Sequence, residues 1–379
     1  MRIYIIDTMI KRKTRRACGM QTQDNPGTTR TRKRKGRRSS GRITMQMIAE
    51  RVGVSQATVS YVLNNKAGAR VSAPIRAEIL RIARELNYYP NEAARRLAGM
   101  RSRTIGILQL YVRHSVLAGW WSSEVMRGIA DTGFAQGYHL MIYAMSEDVR
   151  SMCLNAVYSG RLEGLIILAP YKDEPLLKEL SDAGIPLAVV GGQQVYGEKM
   201  AAIDADNEMG GYLATKHLIE QGHRRIAHLH GDLYIPNACD RLHGFRRAME
   251  EAGLPVSPEL LIETGFLEQT AYEATCRLLQ LPEPPTAIFT ANDVCAIGVL
   301  GAVQEANRRV PQDVAIVGYD GTPFTQLTEP PLSTVEQPAS EMGRVAARLL
   351  IDIIEGHTPA ERVVKLPVRL IARASSLQQ

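Results

Sequence analysis

Apolar residues recur at two different periods along this chain, and the change from one to the other divides it. Between Ile43 and Asn65, in ITMQMIAERVGVSQATVSYVLNN, they fall at helical spacing: Met47, Ile48, Ala49 and Val52 make one short stripe, and Val59, Val62 and Leu63 a second. Thr44 stands where a first helix needs a side-chain cap, Gly53 can take the left-handed conformation that ends it, and Ser55 can cap the next. With Val54 tucked into the corner, the pattern predicts a helix-turn-helix in which Gln56, Ala57, Ser60 and Tyr61 face away from the core. VSAPIRAEILRIARELNYYP predicts a third helix from about Ala73 to Leu86, whose Ile75, Ile79, Ile82, Ala83 and Leu86 cover the backs of the first two. A short helical stretch, NEAARRLAGMRSR, then occupies residues 91–103.

From Thr104 the texture changes to apolar runs of strand length alternating with amphipathic helices. TIGILQL, HLMIYA, GLIILA and PLAVVG are followed by a second round in RIAHLHG, LLIETG, TAIFTAN and VAIVGYD. Strand and helix alternate without hairpin signals, so the predicted sheets are parallel and doubly wound, with two halves making a bilobed body. The tail from Ser333 adds a helix and strands after the second round, so the chain is expected to recross between lobes. The expected fold class is α/β: an all-α helix-turn-helix headpiece at 43–90, a linker at 91–103 and a doubly wound core at 104–376. Within the core, one lobe is expected at about 104–203 plus 334–357 and the other at about 204–322 plus 361–376.

Charge sharpens this division. The net charge of +7 is the sum of +12 over residues 1–42, +6 over 43–103 and −11 over the remainder. A basic front on an acidic body is the footprint of a nucleic-acid binder with a separate regulatory domain. Residues 1–42 carry KRKTRR and RTRKRKGRR with almost no apolar periodicity, which predicts a disordered arm that follows phosphates; the alternative is an upstream start, with Met20 or Met45 as the true one. Five cysteines, Cys18, Cys153, Cys239, Cys276 and Cys295, show no paired spacing and no CxxC, which points to a reducing compartment. No apolar run reaches the length of a membrane span, and MRIYIIDTMIKRKTRR puts its charge after a short apolar piece, the reverse of a secretory signal. A cytoplasmic protein held on nucleoid DNA is expected. There is no phosphate-binding glycine loop, no G-x-S-x-G and no H-E-x-x-H, so catalysis is unsupported, and no cofactor or metal is expected even where His223, His228 and His230 lie close together.

A duplex-reading helix enters the major groove by its N-terminal end. Gln56 can pair bidentately with adenine, Tyr61 can donate a hydrogen bond or pack on a thymine methyl, and Thr44, Ser55, Thr58, Ser60 and Asn64 offer uncharged phosphate donors. The segment TMQMIAERVGVSQATVSYVLN closely resembles the headpiece of LacI/GalR-type bacterial repressors, whose signature reads approximately T-x-x-D-V-A-x-x-A-G-V-S-x-x-T-V-S-x-V-L-N. Carried across by that resemblance, the base readers are Gln56, Ala57 and Tyr61. Met47 stands where the family carries the aspartate that closes a capping box, a loss of about 1 kcal/mol, and Tyr61 stands where many members carry arginine. The resemblance also implies that residues 91–103 form a hinge helix that orders on operator DNA. There Leu97 acts as an apolar wedge in the minor groove, and Asn91, Ala94, Arg95 and Ala98 match the same motif.

In open α/β sheets ligands sit beyond the carboxyl ends of the strands, and two facing lobes bring those ends to one cleft. Asn292 and Asp293 end the strand AIFTAN, and Arg241 lies at the start of a helix in DRLHGF; both match family positions for effector binding. Trp120 and Trp121 fall where family members commonly present aromatic residues to the ligand. Asp320, in AIVGYDG, is read as structural, and Leu267 is read as replacing the aromatic usual in the G-x-F stretch of many relatives. The resemblance thus implies a homodimeric transcriptional repressor binding a palindromic operator, controlled by a small molecule, a sugar above all, in the interlobe cleft. The alternatives are a sugar-binding receptor of the periplasmic type and a bilobed enzyme with a fused DNA-binding module.

Overall fold

The computed structural model describes residues 43–64, 71–89, 101–109, 119–143 and 149–377. The chain divides into two compact units, one running to Pro90 and the other from Asn91. In the first, α1 (Met45–Val52), α2 (Gln56–Leu63) and α3 (Ala73–Glu85) pack together. Thr44 caps α1, its hydroxyl accepting from the Met47 N–H, and Gly53 ends the helix at φ 77°, where an L side chain is disfavoured. Ser55 caps α2 by accepting from the Thr58 N–H at 3.1 Å. The core between them is Ile48, Ala49, Val59, Val62, Ile79, Ile82 and Ala83. Met47 and Ile75, assigned to the apolar stripes by spacing, are in fact exposed at the ends of those stripes.

The second unit holds two six-stranded sheets. The first, that of the N-lobe, is ordered β11-β5-β4-β3-β1-β2, from β1 (Thr104–Gln109), β2 (His139–Tyr143), β3 (Gly164–Leu168), β4 (Leu187–Val190), β5 (Met200–Ala205) and β11 (Val363–Leu366). Its strands pair parallel throughout. The sheet of the C-lobe is ordered β12-β10-β9-β8-β6-β7, from β6 (Ile226–His230), β7 (Leu261–Glu263), β8 (Ala287–Thr290), β9 (Ala315–Asp320), β10 (Ser333–Glu336) and β12 (Arg369–Ile371). It is parallel except where β12 runs against β10. The near-continuous burial of β3, β4, β5, β8 and β9 is what a parallel sheet covered on both faces requires.

Helices α4 (Trp120–Ala135), α5 (Val149–Tyr158), α6 (Pro175–Asp182) and α11 (Ala339–Ile354) flank the N-lobe sheet, and α7 (Asn207–Glu220), α8 (Pro236–Glu251), α9 (Glu268–Leu278) and α10 (Asp293–Glu305) the C-lobe sheet. The chain passes between the lobes around residue 206, again at 337–338 and again at 367–368. Two boundaries therefore differ from the sequence reading. β10 pairs with β9 in the C-lobe, because the chain crosses only after Glu336, and β11 pairs with β5 in the N-lobe, because the last crossing follows Leu366.

Helix pairs within each lobe approach backbone to backbone. A Cβ placed on Gly244 of α8 would lie 1.9 Å from the Glu208 carbonyl oxygen of α7, and one on Gly128 of α4 the same distance from the Ser340 carbonyl oxygen of α11.

Candidate functional site

On α2, Gln56, Ala57 and Tyr61 are exposed on the side away from Val59 and Val62, where the helical period puts them. The neighbouring hydroxyls are already partly engaged. Ser55 and Thr58 share a hydrogen bond at 2.9 Å, and Ser60, half-buried, accepts from the Asn64 side-chain amide at 3.2 Å. Asn64 is itself half-buried. Thr44 is exposed. α1 has no acidic residue in its first turn, so no capping box closes. Asn91, Ala94, Arg95, Leu97 and Ala98 lie outside the described residues.

In the second unit a cavity of about 130 Å³ opens between the two lobes. Gln109, at the carboxyl end of β1, and Trp121 and Ser122, in the first turn of α4, line it from the N-lobe together with Gly119 and Ala169. Ile235, Asn237, Arg241, Phe266, Asn292 and Asp320 line it from the C-lobe, and Gln337 from the second crossing. Strand ends and helix starts thus meet there, as the parallel topology demands.

Arg241 is buried and held in place. Its Nε donates to Asn207 Oδ1 at 3.0 Å, a terminal nitrogen donates to the Ala291 carbonyl at 2.5 Å, and the guanidinium lies 3.6 Å from the Tyr319 ring centroid. Asn207 Oδ1 also accepts from the Tyr319 hydroxyl at 3.2 Å. Asp320 faces the same cavity, and its carboxylate accepts from Gln337 Nε2 at 2.7 Å. Burial raises its pKa, opposed by Arg241 and by the Gln337 hydrogen bond. Asn292 lines the cavity while capping α10, accepting from the Cys295 N–H at 2.8 Å.

The carboxylate on the cavity wall is Asp320, not Asp293. Asp293 is 0 % exposed and is not on the cavity wall. One of its oxygens accepts from both the N–H and the hydroxyl of Thr322, each at 2.8 Å, and the other from the Thr334 hydroxyl at 2.6 Å. It ties the start of α10 to β10 and to the turn after β9, and burial together with the neighbouring Asp320 raises its pKa. Asp320, read as structural, lines the cavity instead. Trp120 packs half-buried on the N-lobe core, so only Trp121 of the pair reaches the cavity. Phe266, one residue before Leu267, lines the cavity, and Leu267 is the N-cap residue of α9. Gln109, Asn237 and Gln337 escaped the sequence reading, although a lone polar residue closing an apolar strand, as in TIGILQ, was the available signal for the first.

Asp204, at the first crossing, is 1 % exposed, and one of its oxygens accepts from the Ala205 N–H and from Asn207 Nδ2. Burial pushes its pKa up to about 7. An unfolded aspartate ionises near ~3.9, so between those values the folded chain holds the extra proton. The stability this group contributes is therefore fullest below pH ~4 and is lost as pH rises to ~7, by up to about 4 kcal/mol for a shift of that size. Asp204→Asn is expected to raise the melting temperature by several degrees at pH 8 and by much less at pH 5, read by circular dichroism. An equal change at both would mean that Asp204 is ionised in the fold throughout.

A small helix-turn-helix unit that exposes side chains along one helix, joined to a two-lobed body enclosing a cavity, is the architecture of a DNA-binding regulator with a ligand-binding core. Residues 44–91 match the family described as bacterial regulatory proteins, lacI family, and residues 215–376 the periplasmic binding protein-like domain. The chain is 33% identical to the HTH-type transcriptional regulator CelR of Thermobifida fusca over 88% of its own length and 98% of that protein's. Among solved structures, it resembles a transcriptional regulator CelR-cellobiose complex (31% identity, 88% of this chain and 100% of that one, TM-score 0.67). It also resembles the lac repressor dimer bound to operator and the anti-inducer ONPF (29% identity, 89% and 100%, TM-score 0.79). The chain belongs to the LacI family of bacterial regulatory proteins, and it is a DNA-binding transcriptional regulator rather than an enzyme. Among the described residues no helix is long and apolar enough to cross a membrane.

Proposed function

We propose that the chain is a cytoplasmic repressor that binds a palindromic operator as a homodimer and is released by a sugar held between the lobes. In this reading residues 43–90 are the DNA-binding domain, with Gln56, Ala57 and Tyr61 reading bases and Thr44, Ser55, Thr58, Ser60 and Asn64 meeting phosphates. Residues 91–103 are the hinge, where Asn91, Ala94, Arg95, Leu97 and Ala98 occupy the minor groove. The effector contacts are Trp121, Arg241, Asn292 and Asp320, with Asp293 and Trp120 supporting the wall from behind. Met141 and Ile142, exposed on the edge strand β2, support docking of a second copy there.

The observation that carries the switching mechanism is that the two charged groups of the cavity are each tied to a crossing between lobes. Arg241 bonds to Asn207, next to the first crossing, and Asp320 to Gln337, on the second. A ligand that takes hold of either side chain bears directly on the segments about which the lobes turn, and so changes whether the hinge segments of the dimer can pair.

Random-site selection with the full chain at moderate salt is expected to enrich a palindrome. The cognate sugar should lower affinity for it by about 5- to 150-fold, the range of a typical allosteric coupling energy. A selection that enriches no duplex, with or without candidate metabolites, would sink the proposal.

A further inference from the structure

Residues 101–103, the last of the linker, enter the N-lobe through a clasp of two arginines and one carboxylate. Glu163, whose side chain is 12 % exposed, accepts from the Arg103 N–H at 2.7 Å through one oxygen and pairs with the Arg101 guanidinium at 2.9 Å through the other. Arg101 goes on to donate to the carbonyl of Ile354, the last residue of α11, at 3.2 Å. Arg103 donates to the carbonyl of Gln136, the residue that follows α4, at 3.0 Å. Carbonyls at a helix C-terminus have no partner within the helix and carry the negative end of its dipole, so a guanidinium suits both places. Arg103 sits at φ 44°, a conformation uncommon for a residue with a side chain, which persists where the surroundings fix it.

The opposite ends of the same two helices reach the cavity. Trp121 and Ser122, in the first turn of α4, line it; α11 begins at Ala339, two residues after Gln337, which lines it and bonds to Asp320. Each helix has 16 residues, which at 1.5 Å per residue is a length of about 24 Å. Both therefore run from cavity to clasp, and glycines lock them together on the way. A Cβ on Gly128 would lie 1.9 Å from the Ser340 carbonyl oxygen, and one on Gly343 2.0 Å from the Val125 carbonyl oxygen. Backbones this close cannot slide past one another without a clash, so the pair moves as one body.

We propose that α4 and α11 form a single beam that carries a displacement at the cavity to residues 101–103, and that Glu163 is the positioning residue that fastens the linker to the beam's far end. The proposal rests on the ligand-switched repressor reading above and supplies its route. A ligand that moves Trp121 or Gln337 moves the carbonyls of Gln136 and Ile354 as well, and Arg101 and Arg103 oblige the linker to follow. Without the Glu163 carboxylate, Arg101 loses its counter-charge and the Arg103 N–H its charged acceptor, and the root of the linker turns independently of the lobe.

Operator affinity of the full chain, measured by fluorescence anisotropy on the duplex that random-site selection enriches, reads this coupling with no ligand present. Gln337→Met cuts the bond to Asp320 at the cavity end, and Glu163→Gln opens the clasp. Gln337→Met is expected to change operator affinity about fivefold or more in the parent but less than about twofold in the Glu163→Gln chain, whereas residues this far apart ordinarily act additively. Glu163→Gln alone is expected to weaken operator binding about tenfold and binding to a scrambled duplex less than about twofold. Simple charge predicts the opposite sign, since removing an acidic group strengthens attraction to phosphates. Arg101→Ala, at a half-exposed side chain, repeats the cycle should Glu163→Gln unfold the chain. A merely structural Glu163 would lower the melting temperature and leave the Gln337→Met effect intact. That result, no effect of Gln337→Met in the parent, or tighter operator binding by Glu163→Gln would overturn the beam. A selection that enriches no duplex would overturn the repressor reading itself.

Discussion

Gly244→Val is expected to cost the C-lobe more than about 3 kcal/mol, the upper end for overpacking a buried contact. The Cβ alone would lie 1.9 Å from the Glu208 carbonyl oxygen and 2.6 Å from the Tyr212 backbone nitrogen. Neither is the tip of a side chain that can swing aside, so α8 must move off α7. Arg241 and Asn237 ride on α8, so ligand response should vanish together with stability. Gly301→Ala on α10 is the control. Its Cβ would meet only the Tyr272 ring, at 3.8 Å, and alanine is the better helix former by about 1 kcal/mol. Thermal denaturation of the three proteins would test the contrast, and a Gly244→Val chain melting within a degree of the parent would refute the backbone-contact account.

Asp293→Ala and Asp320→Asn should fail in opposite ways. Removing the Asp293 carboxylate strands the Thr322 N–H and the hydroxyls of Thr322 and Thr334 in the interior, an expected loss of roughly 3–5 kcal/mol. Asp320→Asn keeps the shape and keeps an oxygen for Gln337, so its melting temperature should stay near that of the parent. If Asp320 holds the effector as proposed, affinity should nonetheless fall by about 10- to 100-fold, because a charged acceptor on the cavity wall becomes neutral. Thermal unfolding paired with a ligand titration separates the two cases. A well-folded Asp293→Ala chain that no longer binds ligand would return the effector role to Asp293.

That pair also marks where the sequence stopped being readable. Helical spacing was enough to place Ile48, Val59 and Val62 in one core and to turn Gln56 and Tyr61 outward, because a short helix has only one periodicity to satisfy. Runs such as GLIIL and LAVV announced parallel strands, because only a sheet covered on both faces tolerates apolar residues at every position. Which of two carboxylates at the ends of neighbouring strands faces the cavity depends on backbone torsion instead. Asp320 sits at φ 116°, a conformation uncommon for a residue with a side chain, whereas Asp293 is wound into the first turn of α10. Residue type and spacing are blind to that difference. The exchange of β10 and β11 between lobes was hidden for a related reason, since short strands after a completed fold carry no mark of the sheet they will join.

The three passages between lobes mean that neither lobe is a continuous stretch of chain. On the ribosome, β1 to β5 emerge before any of the C-lobe, yet α11, which covers them, and β11, which closes their edge, are made only after β10. At ordinary elongation rates the interval is on the order of ten seconds. During it a largely apolar parallel sheet lacks the helix that completes the cover of one face and the strand that closes its edge, so the demand for chaperone protection falls on the N-lobe, the half that is synthesised first and completed late.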